Sequence, residues 1–168
     1  MRWEKFTVKS QEAVQKAQAI AAERGHPEIR PEHLLAAFLD QDENIVNAIL
    51  AKIGAPAGAV RSALEAALAR LPKVGGGGES VLSPALRQVL DAAHKEAEAL
   101  KDDYVSTEHL FLAMLKDARG EASRLLRANG VDEDAVLKAL AAVRGSSRVT
   151  DPEPEGKFQV LEKYTRDL

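Results

Sequence analysis

The strongest constraint on this chain is a phrase that it contains twice. The stretch "RPEHLLAAFL" begins at Arg30 and "STEHLFLAML" begins at Ser106, so that His33 and His109 are 109 − 33 = 76 positions apart. The same offset holds without a gap for Thr7 and Ser83, Ala17 and Ala93, Leu50 and Leu126, Gly54 and Gly130, and Leu64 and Leu140. The chain is therefore predicted to be two copies of one unit. Because each copy alone is near the size at which a single core becomes marginal, the copies are expected to share one core.

Each unit is predicted to contain four helices. In the first unit, Thr7 is a plausible N-cap, Pro31 fits the first turn of the second helix, and Gly54 ends the third. Ser83 caps the equivalent first helix of the second unit, and apolar residues follow at helical spacing. The predicted fold class is all-α: two pseudo-symmetric four-helix units around one core, with repeats at about 6–72 and 82–144.

Two polar stretches are predicted to be linkers. The first, "KVGGGGES", holds four successive glycines, which would lose a large conformational entropy in a helix or a packed strand. The second, residues 146–157, is rich in Ser, Pro and Gly and has no helical periodicity. Residues 158–168, "FQVLEKYTRDL", then begin a new amphipathic segment, which suggests that the natural protein continues into a further domain.

Composition argues against several classes of function. A net charge of −3 and a pI of about 5.9 give none of the basic surface from which nucleic-acid binding draws most of its affinity. There is no cysteine, and therefore no disulfide, thiolate nucleophile or zinc–thiolate site. The N-terminus lacks the apolar run of a signal peptide, and no stretch approaches the ~18 apolar residues of a membrane span. We expect a cytoplasmic protein that binds neither nucleic acid nor membrane.

The repeated Glu-His pair is the first candidate for chemistry. A metal site needs converging ligands, as when H-E-x-x-H places two histidines on one helical face, and that spacing is missing around His33 and His109. The alternative is a partly buried histidine hydrogen-bonded near a helix N-terminus, with Glu32 or Glu108 favoured there by the helix dipole. Since "GGGGES" lacks the lysine of a phosphate-binding loop and no Ser/His/Asp set is evident, we expect no catalytic site, metal or cofactor in this fragment. A binding groove at the seam between the two units is the remaining possibility.

Several stretches resemble a known family. "EKFTVKSQEAVQKAQAIA", "PEHLLAAFL", "ARLPKV" and "YVSTEHLFLAML" are similar, in order and spacing, to the N-terminal domain of Clp ATPases. Residues 1 to about 145 would form that domain. The tail "LEKYTRDL" looks like the segment that opens the first ATPase module, and together with "ARLPKV" it is most similar to the disaggregase branch of the family.

The resemblance implies a function for the whole protein and a role for this fragment within that function. The whole protein would be a homohexameric, ATP-driven stress-response chaperone that threads aggregated polypeptides through a pore and works with the Hsp70 system. Its ATP and Mg sites would lie beyond Leu168. The fragment, expected to be a monomer, would be the mobile domain that first engages unfolded or aggregated polypeptides. The alternative is an adaptor-docking domain of a protease-coupled Clp unfoldase.

The resemblance also implies site residues. A polar set used in substrate handling falls on Thr7, Asp102 and Glu108, and an apolar groove beside the fifth and sixth helices falls on Leu90 and Leu110. A simpler interpretation is that Thr7 is only a helix cap and that Asp102 and Glu108 tie a loop to a helix N-terminus. Function is expected where the two copies differ, at the loop "KDDY" that replaces part of "RGHPEI".

Overall fold

Each helix of the second repeat begins 76 positions after its counterpart in the first repeat, as predicted. A computed structural model describes residues 3–41, 44–74, 79–145 and 152. After a 3-10 turn at Trp3–Lys5, the first repeat contains α1 (Val8–Glu23), α2 (Pro31–Asp40), α3 (Ile45–Ile53) and α4 (Ala57–Ala69). The second contains α5 (Pro84–Ala99), α6 (Thr107–Lys116), α7 (Glu121–Ala128) and α8 (Glu133–Arg144). Adding 76 to the bounds of α1 and α2 gives those of α5 and α6, which confirms the all-α double repeat.

The helix ends follow from residues that the sequence analysis identified. The side chains of Thr7 and Ser83 accept hydrogen bonds from the backbone N–H groups three residues later, and both are N-caps as predicted. Ser106 occupies the N-cap position of α6. Gly54 and Gly130 follow α3 and α7 with the same positive φ of 81°, a conformation that favours glycine.

Two short strand pairings join the repeats, and the sequence analysis did not predict them. The strand β1 (Glu28–Ile29) runs parallel to β2 (Val81–Leu82), with Ile29 opposite Leu82. A separate bridge pairs Phe6 with Val105. Adding 76 to the number of Phe6 gives Leu82, and adding 76 to that of Ile29 gives Val105. The Phe6–Val105 bridge is therefore the counterpart of the Ile29–Leu82 pair, with the two repeats exchanged. A pairing of two residues is too short to produce an alternating apolar pattern, so the sequence carries no signal for it.

The repeats also exchange helix contacts, and this exchange produces the shared core. The third helix of each repeat packs against the fourth helix of the other: α3 against α8 and α7 against α4. The helices α2 and α6 contact each other at the centre, and nearly every side chain in both is buried. Each repeat thus depends on the other to cover its apolar faces.

Some predicted segments lie outside the described residues. The four glycines at 75–78 belong to this group, as do residues 158–168 and all of the predicted linker 146–157 except Pro152. Within the described ranges, no helix combines the length and the apolar character that crossing a membrane would require.

Candidate functional site at the second-repeat corner

The predicted polar residues meet where the loop after α5, the start of α6 and the end of α8 come together. We call this region, built from residues 101–109 and Arg144, the second-repeat corner. The loop turns at Lys101, which has a left-handed φ of 59°, and the Asp102 N–H then donates to the Ala97 carbonyl at 2.8 Å. Gly25 makes the equivalent turn in the first repeat, with φ of 71°. Backbone geometry is therefore shared, and the side chains distinguish the two corners.

His109 connects the start of α6 to the loop. Its Nδ1 accepts a hydrogen bond from the Ser106 backbone N–H at 2.8 Å, so the imidazole takes the place that Glu or Gln has in a capping box. With Nδ1 as an acceptor, the ring proton lies on Nε2, which donates to Asp102 Oδ2 at 2.7 Å. The predicted hydrogen bond of this histidine near a helix N-terminus is confirmed. The expected partial burial is wrong, since the side chain is fully buried between the loop and α6.

Arg144, the last residue of α8, completes the corner with a buried ion pair. Its Nη1 and Nη2 donate to the two carboxylate oxygens of Asp102 at 2.9 and 2.6 Å, a bidentate arrangement. Nη1 also lies 3.6 Å from Oε1 of Glu108, which accepts the hydroxyl hydrogen bond of Ser106. Burial alone would lower the pKa of Arg144, but Asp102 and Glu108 outweigh burial and the pKa is raised. The arginine is therefore held charged against two buried carboxylates.

Thr7 contacts the same loop from the other repeat. Its backbone N–H donates to the Val105 carbonyl at 2.9 Å, and the Ser10 hydroxyl donates to that same carbonyl at 3.1 Å. The Thr7 hydroxyl donates to Ser10 Oγ and accepts from the Ser10 N–H. The structure thus brings Thr7 to the corner that contains Asp102 and Glu108.

All three members of the predicted polar set are buried. The exposed fractions of Thr7, Asp102 and Glu108 are 0, 8 and 1%. Their observed contacts are intramolecular and match the simpler interpretation of a cap and a loop tie. Their role in substrate handling stays a prediction, and any ligand that depends on them must act through neighbouring residues or through a movement of the corner.

Leu90 and Leu110 lie inside the core. Both have an exposed fraction of 0%, on the contacting helices α5 and α6. A polypeptide could touch them only if these helices separated, and the groove assignment stays a prediction. Among the described residues, the large apolar side chains with substantial exposure are Trp3, Val8, Val74, Val81 and Leu137.

The first-repeat corner, residues 25–33, has the same backbone turn and the same histidine hydrogen bond as the second-repeat corner, but its other side chains differ. His33 Nδ1 accepts from the Arg30 N–H at 2.8 Å, and its Nε2 lies 2.8 Å from Nδ1 of His26, which occupies the position of Asp102. Burial, aided by His26, Arg24 and Arg30, lowers the pKa of His33 to about 4. Burial, with Arg24 and Lys73, also lowers the pKa of His26. The first corner is thus built from neutral histidines.

Two residues of these corners were missed by the sequence analysis. His26 and Arg144 were not singled out, although the 76-residue offset places His26 opposite Asp102 and Leu68 opposite Arg144. Aligning the repeats at every polar position would have identified both. In the part of the chain that the structure describes, no group of three or more His, Cys, Asp or Glu side chains could hold a metal ion.

Two interlocked four-helix repeats, with polar corners at the starts of their central helices, define a duplicated helical domain of the kind found in Clp ATPases. The chain belongs to the Clp N-terminal domain family: the family's sequence model, described as "Clp repeat (R) N-terminal domain", matches residues 5–149. The chain is 42% identical over 164 residues to the chaperone protein ClpB of Bdellovibrio bacteriovorus, and 42% identical over 165 residues to ClpB of Dichelobacter nodosus. These matches cover 97 and 98% of this chain but only 19% of each relative's length.

Solved structures agree on the fold. The N-terminal domain of Hsp104 from Candida albicans matches with a TM-score of 0.79 at 23% identity, over 89% of this chain and 98% of that one. A ClpV N-domain solved in complex with a VipB peptide matches with a TM-score of 0.71 at 25% identity, over 88 and 91% of the two chains.

Proposed function

We propose that this chain is the substrate-recognition domain of a ClpB-type disaggregase. It would engage unfolded or aggregated polypeptides and pass them to a hexameric ATPase pore. The observation that carries this proposal is the 42% identity to ClpB chaperones across nearly the whole chain. ATP and Mg binding, hexamer formation, cytoplasmic location and cooperation with the Hsp70 system would belong to the full-length protein, of whose relatives this chain spans 19%.

We propose that a polypeptide first makes contact beside Thr7. Thr7 is buried, so a ligand that approaches this end of the domain meets its exposed neighbours Trp3 and Val8, each 40% exposed. The Gln11 side chain donates to the Trp3 carbonyl, which holds the N-terminal segment against the first turn of α1. This small apolar area would give weak binding, because ordering a disordered ligand offsets much of the gain from burial.

The alternative is an adaptor-docking domain of a protease-coupled unfoldase. The observation that favours it is the solved complex of a ClpV N-domain with a VipB peptide, since that related domain binds a defined segment of one protein. A docking domain would recognise a folded partner or one peptide sequence, whereas a substrate-capture domain would bind many unfolded chains and ignore their folded forms.

Fluorescence anisotropy separates the two proposals. The probe is a labelled small protein that carries disulfides, used both in its native form and after reduction and alkylation, which leaves it permanently unfolded. We expect the 168-residue chain to bind the unfolded form saturably and to leave the native form free. Equal binding to both forms, or binding to neither, would refute substrate capture by this domain.

A matched pair of variants tests the contact surface. Val8 and Leu137 are 40 and 42% exposed, on α1 and α8. We expect Val8→Asp to weaken binding of the unfolded probe at least fivefold and Leu137→Asp to leave it unchanged. If Leu137→Asp has the larger effect, the surface beside Thr7 is not the contact site.

A further inference from the structure

The second-repeat corner contains an ion pair that the fold does not require. At the positions of Asp102 and Arg144 the first repeat carries His26 and Leu68, yet the helix bounds of the two repeats agree to within one residue at the 76-residue offset. Buried ion pairs add little net stability, because removing two charges from water costs about as much as their attraction returns. The pair therefore calls for an explanation other than holding the architecture together.

Its position supplies that explanation. Arg144 is the last residue of α8, and Gly145, with φ of 61°, ends the helix directly after it. The arginine side chain reaches back from this point to the loop after α5. The Asp102 that it binds is 42 positions away in the sequence. Farther along the chain, the Pro152 carbonyl accepts a hydrogen bond from the Val8 N–H at 2.9 Å.

The loop extends the connection to the other repeat. Val105, three residues after Asp102, donates its N–H to the Lys5 carbonyl at 2.7 Å and accepts from the Thr7 N–H at 2.9 Å. Glu108 lies between Ser106 and Arg144 at the start of α6. Asp102 and Glu108 are thus linked to Arg144 at the end of α8 by charge contacts, and Thr7 is hydrogen-bonded to Val105 in the same loop.

We propose that the Asp102–Arg144 pair is a clamp that fixes the end of α8 and thereby keeps Pro152 beside Val8 at the start of α1. Arg144 is then a positioning residue, and the polar set acts through the position of Pro152 instead of contacting a ligand. This second statement rests on the proposed function, because it concerns how the domain is presented to the ATPase modules. The clamp itself does not depend on the proposed function.

Spin labels on the 168-residue chain test the clamp directly. The chain has no cysteine, so Asp91→Cys on the exposed face of α5 and Pro152→Cys, eight residues past Arg144, give one defined label pair. We expect a narrow distance distribution between the labels, and at least a twofold broadening with Arg144→Met or Asp102→Asn. An unchanged width in both variants would overturn the proposal.

Arg70→Met is the matched control. Arg70 caps the end of α4, the equivalent helix of the first repeat, and forms an ion pair with Glu121 at 3.0 Å in which its side chain is 64% exposed. Its loss should leave the label distribution unchanged, since the pair is at the surface. A broadening equal to that of Arg144→Met would show that any ion pair at a helix end has the same effect.

Amide hydrogen exchange separates a local clamp from general destabilisation. In Arg144→Met, the amides of residues 142–145 and of Thr7 and Val105 should exchange at least tenfold faster, with those of α4 unchanged. Equal acceleration in α4 would mean that the pair only stabilises the whole domain. Because these measurements use no polypeptide ligand, their failure is distinct from a failure of the proposed function, which the anisotropy assay reports.

Discussion

Acid should destabilise this domain through His33. A second proton on this imidazole would have to bind at Nδ1, which already accepts the Arg30 N–H, and would place a positive charge among Arg24, Arg30 and His26. Burial is the largest cause of the lowered pKa, and these three groups add to it. In the unfolded chain, where none of these constraints acts, the same histidine titrates at its ordinary pKa of 6.5.

The size of the effect follows from the two pKa values. Between pH 6.5 and about 4, the unfolded state binds a proton at His33 that the folded state does not. Stability from this group is therefore fully present above pH 6.5 and is lost as the pH falls towards 4. At 1.36 kcal/mol for each pKa unit, the loss is about 2 kcal/mol by pH 5 and about 3 kcal/mol below pH 4.

The assay is urea unfolding at pH 7.5 and pH 5.0 of the parent chain and of His33→Gln. Glutamine suits the capping-box position and does not titrate, so the variant keeps the acceptor for the Arg30 N–H. We expect the parent to lose about 2 kcal/mol more free energy of unfolding than the variant between the two pH values. Equal losses in both proteins would refute the reasoning.

Three further pairs of substitutions have expected outcomes that urea or thermal unfolding checks. Lys101→Gly should stabilise the domain by about 1 kcal/mol and Gly25→Ala should destabilise it by about as much, since both positions have positive φ; opposite signs would contradict the backbone argument. Leu90→Ala should cost about 3 kcal/mol, whereas Leu137→Ala should cost at most about 0.5 kcal/mol, because only Leu90 is fully buried; similar costs would contradict the assignment of Leu90 to the core. Thr7→Ala should cost about 1–2 kcal/mol through the lost N-cap of α1, and Thr7→Ser should recover most of it; no recovery would point to a role other than capping.

The helices could be predicted from sequence because their signals are local. Caps such as Thr7 and Ser83, stops such as Gly54, and apolar residues at helical spacing each act within a few positions, and the repeat supplies several of these signals twice. The exchanged contacts could not be predicted in this way. The pairing of Phe6 with Val105 spans almost a hundred positions and involves single residues, so no periodicity records it.

The candidate site was predicted only in part, because its contacts also join residues that are distant in the sequence. The polar set Thr7, Asp102 and Glu108 came from a resemblance, and the structure brings the three to one corner. Their main partner, Arg144, lies on a helix whose sequence gives no hint of the loop that it contacts. Leu90, in turn, shows that a helical apolar pattern cannot separate a core residue from one that lines a groove, since both produce the same spacing.

The central claim is that this domain engages unfolded polypeptide, and an NMR titration tests it most directly. The isotope-labelled 168-residue chain is titrated with a permanently unfolded protein, and Val8→Asp is measured in parallel. We expect saturable shifts that cluster around Trp3 and Val8 and that are lost in the variant while its fold persists. If the Leu90 and Leu110 methyl groups shift as well, the groove between α5 and α6 has opened. No shifts at high ligand concentration would contradict the claim.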